Sequence, residues 1–245
     1  MHSMANLLVE IGNTALKASW SEEMTLGKAF RYQGDKTTDF ILSIVRKEKP
    51  EVMVIASVFA VPEEDAALLR NECHSLLLLD PNHKELMQKY FLPEYLSWDR
   101  AASVIAGRYL FKGKGCSVMD FGTTLTTDFT DSNGTYRGGN ISPGCRTRFK
   151  ALNRYSRTLP LVDIPQDILP EGNSIVSSIE SGVISGIMFE IEGYLNLHPG
   201  NVTVFTGGDA IYFAKRMKSP IFVICNLQLM GLAIIADGYV KETVQ

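Results

Sequence analysis

The chain has 245 residues, of which 45% are hydrophobic and 21% charged, and its formal net charge is −3. This length is enough to bury a core, in one large domain or two smaller ones. The small negative charge does not favour nucleic-acid binding, which normally requires a large basic excess. No apolar run reaches the roughly eighteen residues of a membrane span. We therefore expect neither nucleic acid nor a membrane as a partner.

The cysteines and histidines have no spacing typical of a metal site. The four cysteines are far apart and include no C-x-x-C pair: Cys73, Cys116, Cys145 and Cys225. This pattern indicates reduced, mostly buried thiols rather than a disulfide framework or a zinc site, and it predicts a cytoplasmic protein.

The first half of the chain alternates strand and helix patterns. LLVEI and ALKASW predict a hairpin, and KAFRYQ predicts a third strand. The apolar runs VMVIAS and SLLLLD predict buried strands. Helices are predicted over 37–48, over PEEDAALLRNE, which opens with proline and acids, and over 98–111.

The same pattern restarts near residue 115. An acid-x-Gly-x-Thr frame occurs twice, 110 residues apart, as Glu10-x-Gly12-x-Thr14 and Asp120-x-Gly122-x-Thr124. Each copy lies in a strand–turn–strand pattern, which indicates an internal duplication. The glycine- and lysine-containing stretch KGKG predicts a linker, and the predicted domains are 4–112 and 113–245.

The second half continues as a mixed α/β chain. GTYRGGNISPG predicts a strand and loop, 144–156 a helix and 159–170 a loop. A long helix follows the asparagine at 173. NVTVFTGGDA and SPIFVIC predict two more strands, and LQLMGLAIIADGYV a closing helix.

Three glycine turns follow predicted strands, at 12–14, 122–124 and 206–208. Backbone amides at such turns can approach phosphates closely, and acids at positions 10 and 120 can organise a cation. The alternative is three ordinary tight turns. There is no P-loop, Rossmann or G-x-S-x-G motif. Phosphoryl transfer is compatible with this set, because it depends mainly on positioning and charge stabilisation.

A basic cluster near residue 150 leaves two interpretations open. It is either a solvated helix face or a surface for an anionic ligand or an acidic partner. Its members are Arg146, Arg148, Lys150, Arg154 and Arg157.

Seven motifs in order resemble those of the type III pantothenate kinases, members of the acetate kinase/sugar kinase/Hsp70/actin superfamily. They are EIGNTALK, SWDR with Tyr90 seven residues upstream, DFGT, GGNISPG, Asn173-Ser174, TGG and NLQLMGL. Three positions depart from the family pattern: Glu10 replaces Asp, Ser97 replaces Gly, and Ser174 replaces Thr. The first departure affects the phosphate and cation site, and the second adds a side chain where substrate would approach.

The resemblance implies a duplicated α/β fold of two ribonuclease H-like (actin-like ATPase) domains with a nucleotide cleft between them. It also implies ATP-dependent phosphorylation of pantothenate to 4′-phosphopantothenate, the first step of coenzyme A biosynthesis. The implied cofactors are Mg²⁺ with ATP, and K⁺ or NH₄⁺. A homodimer is expected, with the helix at 99–111 and the long helix after Asn173 at its interface.

The resemblance also implies roles for individual residues. Asp99 is the candidate catalytic base, Asp120 the ligand of the monovalent cation, and Glu10 a ligand of Mg²⁺, directly or through water. The implied substrate-binding residues are Tyr90, Ser97, Trp98, Arg100 and Ser174. The implied ATP-binding residues are Glu10, Gly12, Asn13, Thr14, Lys17, Gly122, Thr123, Thr206, Gly207 and Gly208.

Structural alternatives remain for several of these residues. Asp99 and Ser174 are also suited to capping helices. The alternative interpretation of Arg100 is an ordinary surface arginine, and that of Tyr90 is a packed aromatic side chain. Asp120 and Thr123 have an alternative as turn residues. Because Glu10 and Ser97 depart from the pattern, a degenerate nucleotide-binding protein with an accessory or regulatory role is the alternative function.

Overall fold

The computed structural model describes residues 5–243, which form two compact units. The first unit contains the chain up to Leu110 together with the segment from Asn226 onward, and the second contains Phe111–Cys225. This division differs from the predicted domains, because the C-terminal helix packs within the first unit. The predicted linker still lies within a few residues of the crossover.

The first unit is built on a five-stranded sheet. Its strands are β1 (Asn6–Ile11), β2 (Leu16–Glu22), β3 (Thr25–Tyr32), β4 (Val52–Ser57) and β5 (Ser75–Leu79), in the order β3-β2-β1-β4-β5. The first three strands are antiparallel, and β4 and β5 run parallel to β1. Every residue of β4 is buried, as expected for a central parallel strand covered on both faces.

The helices of the first unit cover both faces of this sheet. They are α1 (Thr37–Val45), α2 (Glu63–Asn71), α3 (Glu85–Lys89), α4 (Trp98–Leu110) and α8 (Leu227–Thr243). Leu7 and Val9 pack with α1 and α2 in one core cluster. Residues of β1 alternate in direction, so Leu8 and Glu10 point to the opposite face, where α8 contacts β1.

The second unit repeats this topology. Its strands are β6 (Cys116–Phe121), β7 (Thr124–Thr130), β8 (Tyr136–Pro143), β9 (Val202–Gly207) and β10 (Phe222–Val223), in the order β10-β9-β6-β7-β8. Its helices are α5 (Cys145–Tyr155), α6 (Ile175–Leu197) and α7 (Ala210–Ala214). The β1–β2 and β6–β7 hairpins thus occupy equivalent places in two sheets, which confirms the predicted duplication.

The structure agrees with the prediction of mostly buried cysteine thiols. All four cysteines are free thiols, and three of them are buried. None of the helices described is both long and apolar enough to span a membrane. The short helices α3 and α7 had no clear signal in the sequence.

Helices α4 and α8 pack closely at a glycine. A Cβ atom added at Gly231 would lie 2.0 Å from the carbonyl oxygen of Ala102. The two helices therefore approach each other backbone to backbone, and only glycine fits at position 231.

Substitution Gly231→Ala should destabilise the protein. Overpacking typically costs about 1–3 kcal/mol, more than the ~1 kcal/mol of helix propensity that alanine adds. Urea unfolding measures the change. Gly238→Ala is the matched control on the same helix, because its Cβ would meet only the Tyr90 hydroxyl, at 3.7 Å. We expect Gly238→Ala to be neutral or stabilising, and equal losses for both variants would contradict the packing argument.

Candidate active site

The first glycine turn connects β1 to β2. The Gly12 N–H donates to the Ala15 carbonyl at 3.0 Å, which closes the turn. Asn13 and Thr14 are exposed at its tip. A cavity of about 320 Å³ borders the turn, and the start of α1 lines its other side. The turn therefore offers amides and polar side chains to a ligand, as the sequence predicts.

Glu10 is buried behind this turn. Its side chain points to the face that α4 and α8 cover, and the residue is only 7% exposed. A Cβ atom at Gly12 would lie 3.0 Å from Glu10 Oε1. The glycine thus leaves room for the additional methylene of the glutamate, which bears directly on the departure from the family pattern.

Charged neighbours surround the Glu10 carboxylate. Lys17 lies directly opposite on β2, with its Nζ 3.2 Å from Glu10 Oε2. Burial raises the pKa of Glu10, and the Asp99 carboxylate raises it further, while Lys17 and Arg31 oppose the shift. A buried carboxylate of this kind gains from a nearby cation, because the cation offsets the cost of desolvation.

Arg31 is a residue that the sequence analysis missed. It lies opposite Lys17 on β3, so that Glu10, Lys17 and Arg31 form a row across three strands on one face. Directly opposed like charges are unfavourable in a sheet, and the pair Lys17 and Arg31 is suited to an anion. The signal was available only through the strand register, which the sequence does not state.

The helix α4 carries Asp99 in its first turn. The first helical hydrogen bond runs from Ala101 N–H to the Ser97 carbonyl, at 2.9 Å, which places Ser97 rather than Asp99 at the cap. Asp99 Oδ1 is buried and has no hydrogen-bond partner. The capping alternative therefore does not explain this side chain, whose oxygen remains available to a ligand or a proton.

The neighbours of Asp99 differ in how much surface they offer. Trp98 is 1% exposed, and its Nε1 donates to the His83 carbonyl at 2.8 Å. The Trp98 side chain therefore belongs to the core, and its contact with substrate stays a prediction. Arg100 is also largely buried, at 8% exposure. Tyr90 is half-buried, and burial and Glu242 raise its pKa to about 12, so its hydroxyl remains protonated as a donor.

The second glycine turn lies at the equivalent place in the second unit. The Gly122 N–H donates to the Thr124 carbonyl at 3.0 Å. The Thr123 carbonyl accepts from the Gly144 N–H and from the Thr147 hydroxyl. A Cβ at Gly144 would lie 2.1 Å from the Gly122 carbonyl oxygen. The last glycine of GGNISPG is therefore needed for close approach to this turn.

The third glycine turn abuts Asp120. Gly207 has a φ of +93°, and a Cβ there would lie 2.3 Å from Asp120 Oδ1. Gly208 faces open space. Thr206 is fully buried, and its hydroxyl oxygen has no hydrogen-bond partner among the described residues. The turn thus combines a carboxylate with an accessible backbone.

Structural contacts in the second unit involve Ser174 and two members of the basic cluster. The Ser174 hydroxyl accepts from Ser177 N–H, and the Ser177 hydroxyl accepts from Ser174 N–H, which forms a capping box at the start of α6. In the basic cluster, Arg146 pairs with Asp209 at 2.9 Å and Arg148 with Glu190. Both arginines are therefore held by acids of their own unit.

The donor atoms near the first turn suit a hard cation. Glu10 is buried and interacts electrostatically with Asp99, whose Oδ1 is also buried, and oxygen ligands are those that Mg²⁺ prefers. The described residues contain no group of three or more His, Cys, Asp or Glu side chains able to hold a metal alone. This composition fits an ion that also takes ligands from a phosphate and from water.

The chain is similar to the proteins of one family along most of its length. The sequence profile of the family described as type III pantothenate kinase matches residues 6–196. A type III pantothenate kinase of Bacteroides fragilis (strain YCH46) is 35% identical over 233 residues, which cover 93% of this chain and 95% of the relative.

Solved structures share the fold at lower identity. A Campylobacter jejuni protein described as a conserved putative Baf family transcriptional activator aligns with a TM-score of 0.62 at 22% identity, covering 96% of this chain and 99% of that one. A ROK hexokinase of Thermus thermophilus aligns with a TM-score of 0.54 at 10% identity, over 98% and 100% of the two chains. These likenesses confirm the duplicated actin-like ATPase and sugar kinase fold.

The profile match and the 35% identity over most of its length place this chain in the type III pantothenate kinase family.

Proposed function

We propose that the protein transfers the γ-phosphoryl group of ATP to pantothenate, giving 4′-phosphopantothenate and ADP in the first step of coenzyme A biosynthesis. The observation that carries this proposal is the Asp99 carboxylate, whose Oδ1 is buried without a hydrogen bond in the first turn of α4. Family membership supplies the substrate, since the Bacteroides fragilis relative is named a type III pantothenate kinase.

Asp99 acts as the general base. It accepts the proton of the pantothenate 4′-hydroxyl while that oxygen bonds to the γ-phosphorus and the bond from phosphorus to the β,γ-bridging oxygen breaks. ADP leaves with that bridging oxygen and its electron pair. Such a positioned base contributes about 10²–10⁴-fold to the rate.

Residues of both units bind ATP in this proposal. The first unit contributes the Gly12–Asn13–Thr14 turn and Lys17. The second contributes Gly122 and Thr123, together with Gly207 and Gly208. Exposed turn amides and hydroxyls suit phosphate oxygens, and Lys17 adds positive charge beside Glu10.

Mg²⁺ and a monovalent cation are the proposed ions. Glu10 would hold Mg²⁺, directly or through water, and Asp120 would hold K⁺ or NH₄⁺. When bound with ATP, Mg²⁺ neutralises charge on the transferred phosphoryl group. Glu10 is suited to this because it is buried with its charge only partly offset by Lys17.

The acceptor site is proposed around the start of α4. Arg100 binds the pantothenate carboxylate, for which its planar fork is suited. The Tyr90 hydroxyl and Ser97 add polar contacts. Ser174 is proposed to contribute from the partner of a homodimer, in addition to its capping role.

The protein is proposed to be cytoplasmic, which four free thiols favour, with neither nucleic acid nor membrane as partner.

The accessory-protein alternative gains no observation in its favour. Its main motivation was the pair of departures at Glu10 and Ser97. The structure accommodates Glu10 beside Gly12, and Ser97 caps α4 through its carbonyl.

A coupled assay of ADP release, with and without pantothenate, tests the two functions directly. Equal ADP release with and without pantothenate would contradict the proposed pantothenate kinase activity.

The homodimer is proposed to form through α6. Ile175 and Phe189 are 61% and 69% exposed. A Cβ atom added at Gly182 or Gly193 would have no neighbouring atom within 4 Å. These four residues lie on one side of the helix by the 3.6-residue period. Helix α4 is mostly buried in its own unit and offers only Tyr109 and Leu110 as exposed apolar side chains, which makes α6 the stronger candidate.

Light scattering should give twice the chain mass of 27.2 kDa. Phe189→Asp should reduce this to the monomer mass, because a charge replaces an apolar contact at the interface. Leu68→Asp is the control, since Leu68 is 52% exposed on α2 and its replacement should leave the dimer intact. A monomeric wild-type protein would refute the proposal.

Asp99→Asn should lower kcat with pantothenate by about 10²–10⁴-fold, because the amide cannot accept the hydroxyl proton. ATP binding, measured by calorimetry, should be largely kept. Asp39→Asn is the control: it makes the same change in the first turn of α1, at an exposed position, and should leave kcat unaltered. Near wild-type turnover in Asp99→Asn would show that Asp99 is not the base.

Glu10→Gln should remove most Mg²⁺-dependent turnover, a loss of about 10²-fold, because the amide is a poor ligand for a hard cation. Glu10→Asp should change kcat by less than about tenfold, or roughly 1.4 kcal/mol, since the site already accommodates a carboxylate.

Steady-state kinetics over a range of Mg²⁺ concentrations distinguish these variants. Glu22→Gln, at an exposed strand end, serves as the control. Unchanged metal dependence in Glu10→Gln would exclude the metal role. A tenfold or larger gain in Glu10→Asp would show instead that the native glutamate impairs the site.

A further inference from the structure

The side chain of Lys84, in the loop after β5, contacts the segment at the start of α4, the helix that carries Asp99. It lies immediately before α3, and its Nζ donates to the Leu96 carbonyl at 2.5 Å. The same Nζ lies 5.9 Å from the centroid of the Trp98 ring. The ammonium group therefore contacts the segment 96–98, directly before Asp99.

This lysine is a partly buried cation with two acidic neighbours. Burial lowers the pKa of Lys84, while the charges of Asp99 and Asp80 oppose that shift. Asp80 is already satisfied by the backbone N–H groups of Val61 and Asn82 and by the ring of His83. Asp99 Oδ1 has no hydrogen bond. Of these two acids, Asp99 therefore has the larger effect on the pKa of Lys84 and is the one with an oxygen not held by another donor.

A second contact joins the same two segments. Trp98 Nε1 donates to the His83 carbonyl at 2.8 Å. His83 is in turn fixed to Asp80 through its Nδ1, at 2.8 Å. The loop at 80–84 thus holds the start of α4 at two points, and Lys84 supplies the charged group of these two contacts.

We propose that Lys84 is a positioning residue for the phosphoryl transfer, fixing the first turn of α4 and placing a positive charge near the Asp99 carboxylate. This inference rests on the proposed role of Asp99 as the base. Two carboxylates and a triphosphate close together repel one another, and a fixed cation in a partly buried site offsets this repulsion more than one in water. Lys84 needs no contact with either substrate for this effect.

The test compares Lys84→Met with Lys84→Arg. Methionine keeps an apolar stem against Trp98 but removes the charge and the bond to Leu96. We expect Lys84→Met to lower kcat by about 10–100-fold, as small displacements of reacting groups do. The KM for ATP should stay within about twofold, because the proposed ATP-binding residues do not include Lys84. Arginine restores the cation and should recover most of kcat.

Hydrogen exchange supplies a readout that does not depend on activity. The Ala101 amide, which bonds to the Ser97 carbonyl, should exchange faster in Lys84→Met than in the wild type or in Lys84→Arg. Lys47→Met is the control, because Lys47 is an exposed lysine beyond α1 and should change neither kcat nor this exchange.

The outcomes separate this inference from the proposed function. If the wild type does not phosphorylate pantothenate, the proposed function fails, and exchange at Ala101 alone decides whether Lys84 positions α4. If the wild type is active, a kcat within twofold of wild type in Lys84→Met overturns the inference. Unchanged exchange in that variant overturns it as well, and so does an equal loss of ATP affinity and kcat.

Discussion

The backbone contact between α4 and α8 is the constraint on which the candidate active site depends most. Gly231 lets α8 lie directly against the main chain of Ala102, only three residues beyond Asp99. The same helix covers the face of β1 from which Glu10 points. Two carboxylates from distant parts of the chain are thereby held in one electrostatic environment. Interiors packed at crystal-like density transmit small displacements, so this contact determines how accurately the acids are placed.

The second unit uses glycines for a comparable purpose. Gly207 makes room for the Asp120 carboxylate, and Gly144 lets the end of β8 approach the Gly122 turn. In each case the absence of a Cβ atom lets a neighbouring group approach the backbone closely. Glycine is needed there for space as well as for its conformational freedom. This explains why the motifs DFGT, GGNISPG and TGG occur together: they describe neighbouring parts of one packed turn system.

Much of the fold could be predicted from local patterns. Strand and helix periodicity gave the main elements, and the repeated acid-x-Gly-x-Thr frame predicted the duplication that the equivalent sheet orders confirm. Local patterns do not encode long-range contacts, however. They could not show that α8 returns to the first unit, that Trp98 and Thr206 are buried, or that Lys84 reaches Leu96. Likewise, Glu10 could be recognised as unusual, but its partner Lys17 and the space beside Gly12 became evident only from register and packing.

The return of α8 to the first unit has a consequence for the order of folding during synthesis. The second unit is one continuous segment, Phe111–Cys225, whereas the first is interrupted by it. Domains generally fold as units as the chain emerges from the ribosome. The inserted segment can therefore complete its sheet while the first unit still lacks the helix that covers α4 and β1. Until residues 226–243 emerge, the apolar faces of α4 and β1 remain uncovered, which makes the nascent first unit the part of this chain most in need of protection by chaperones.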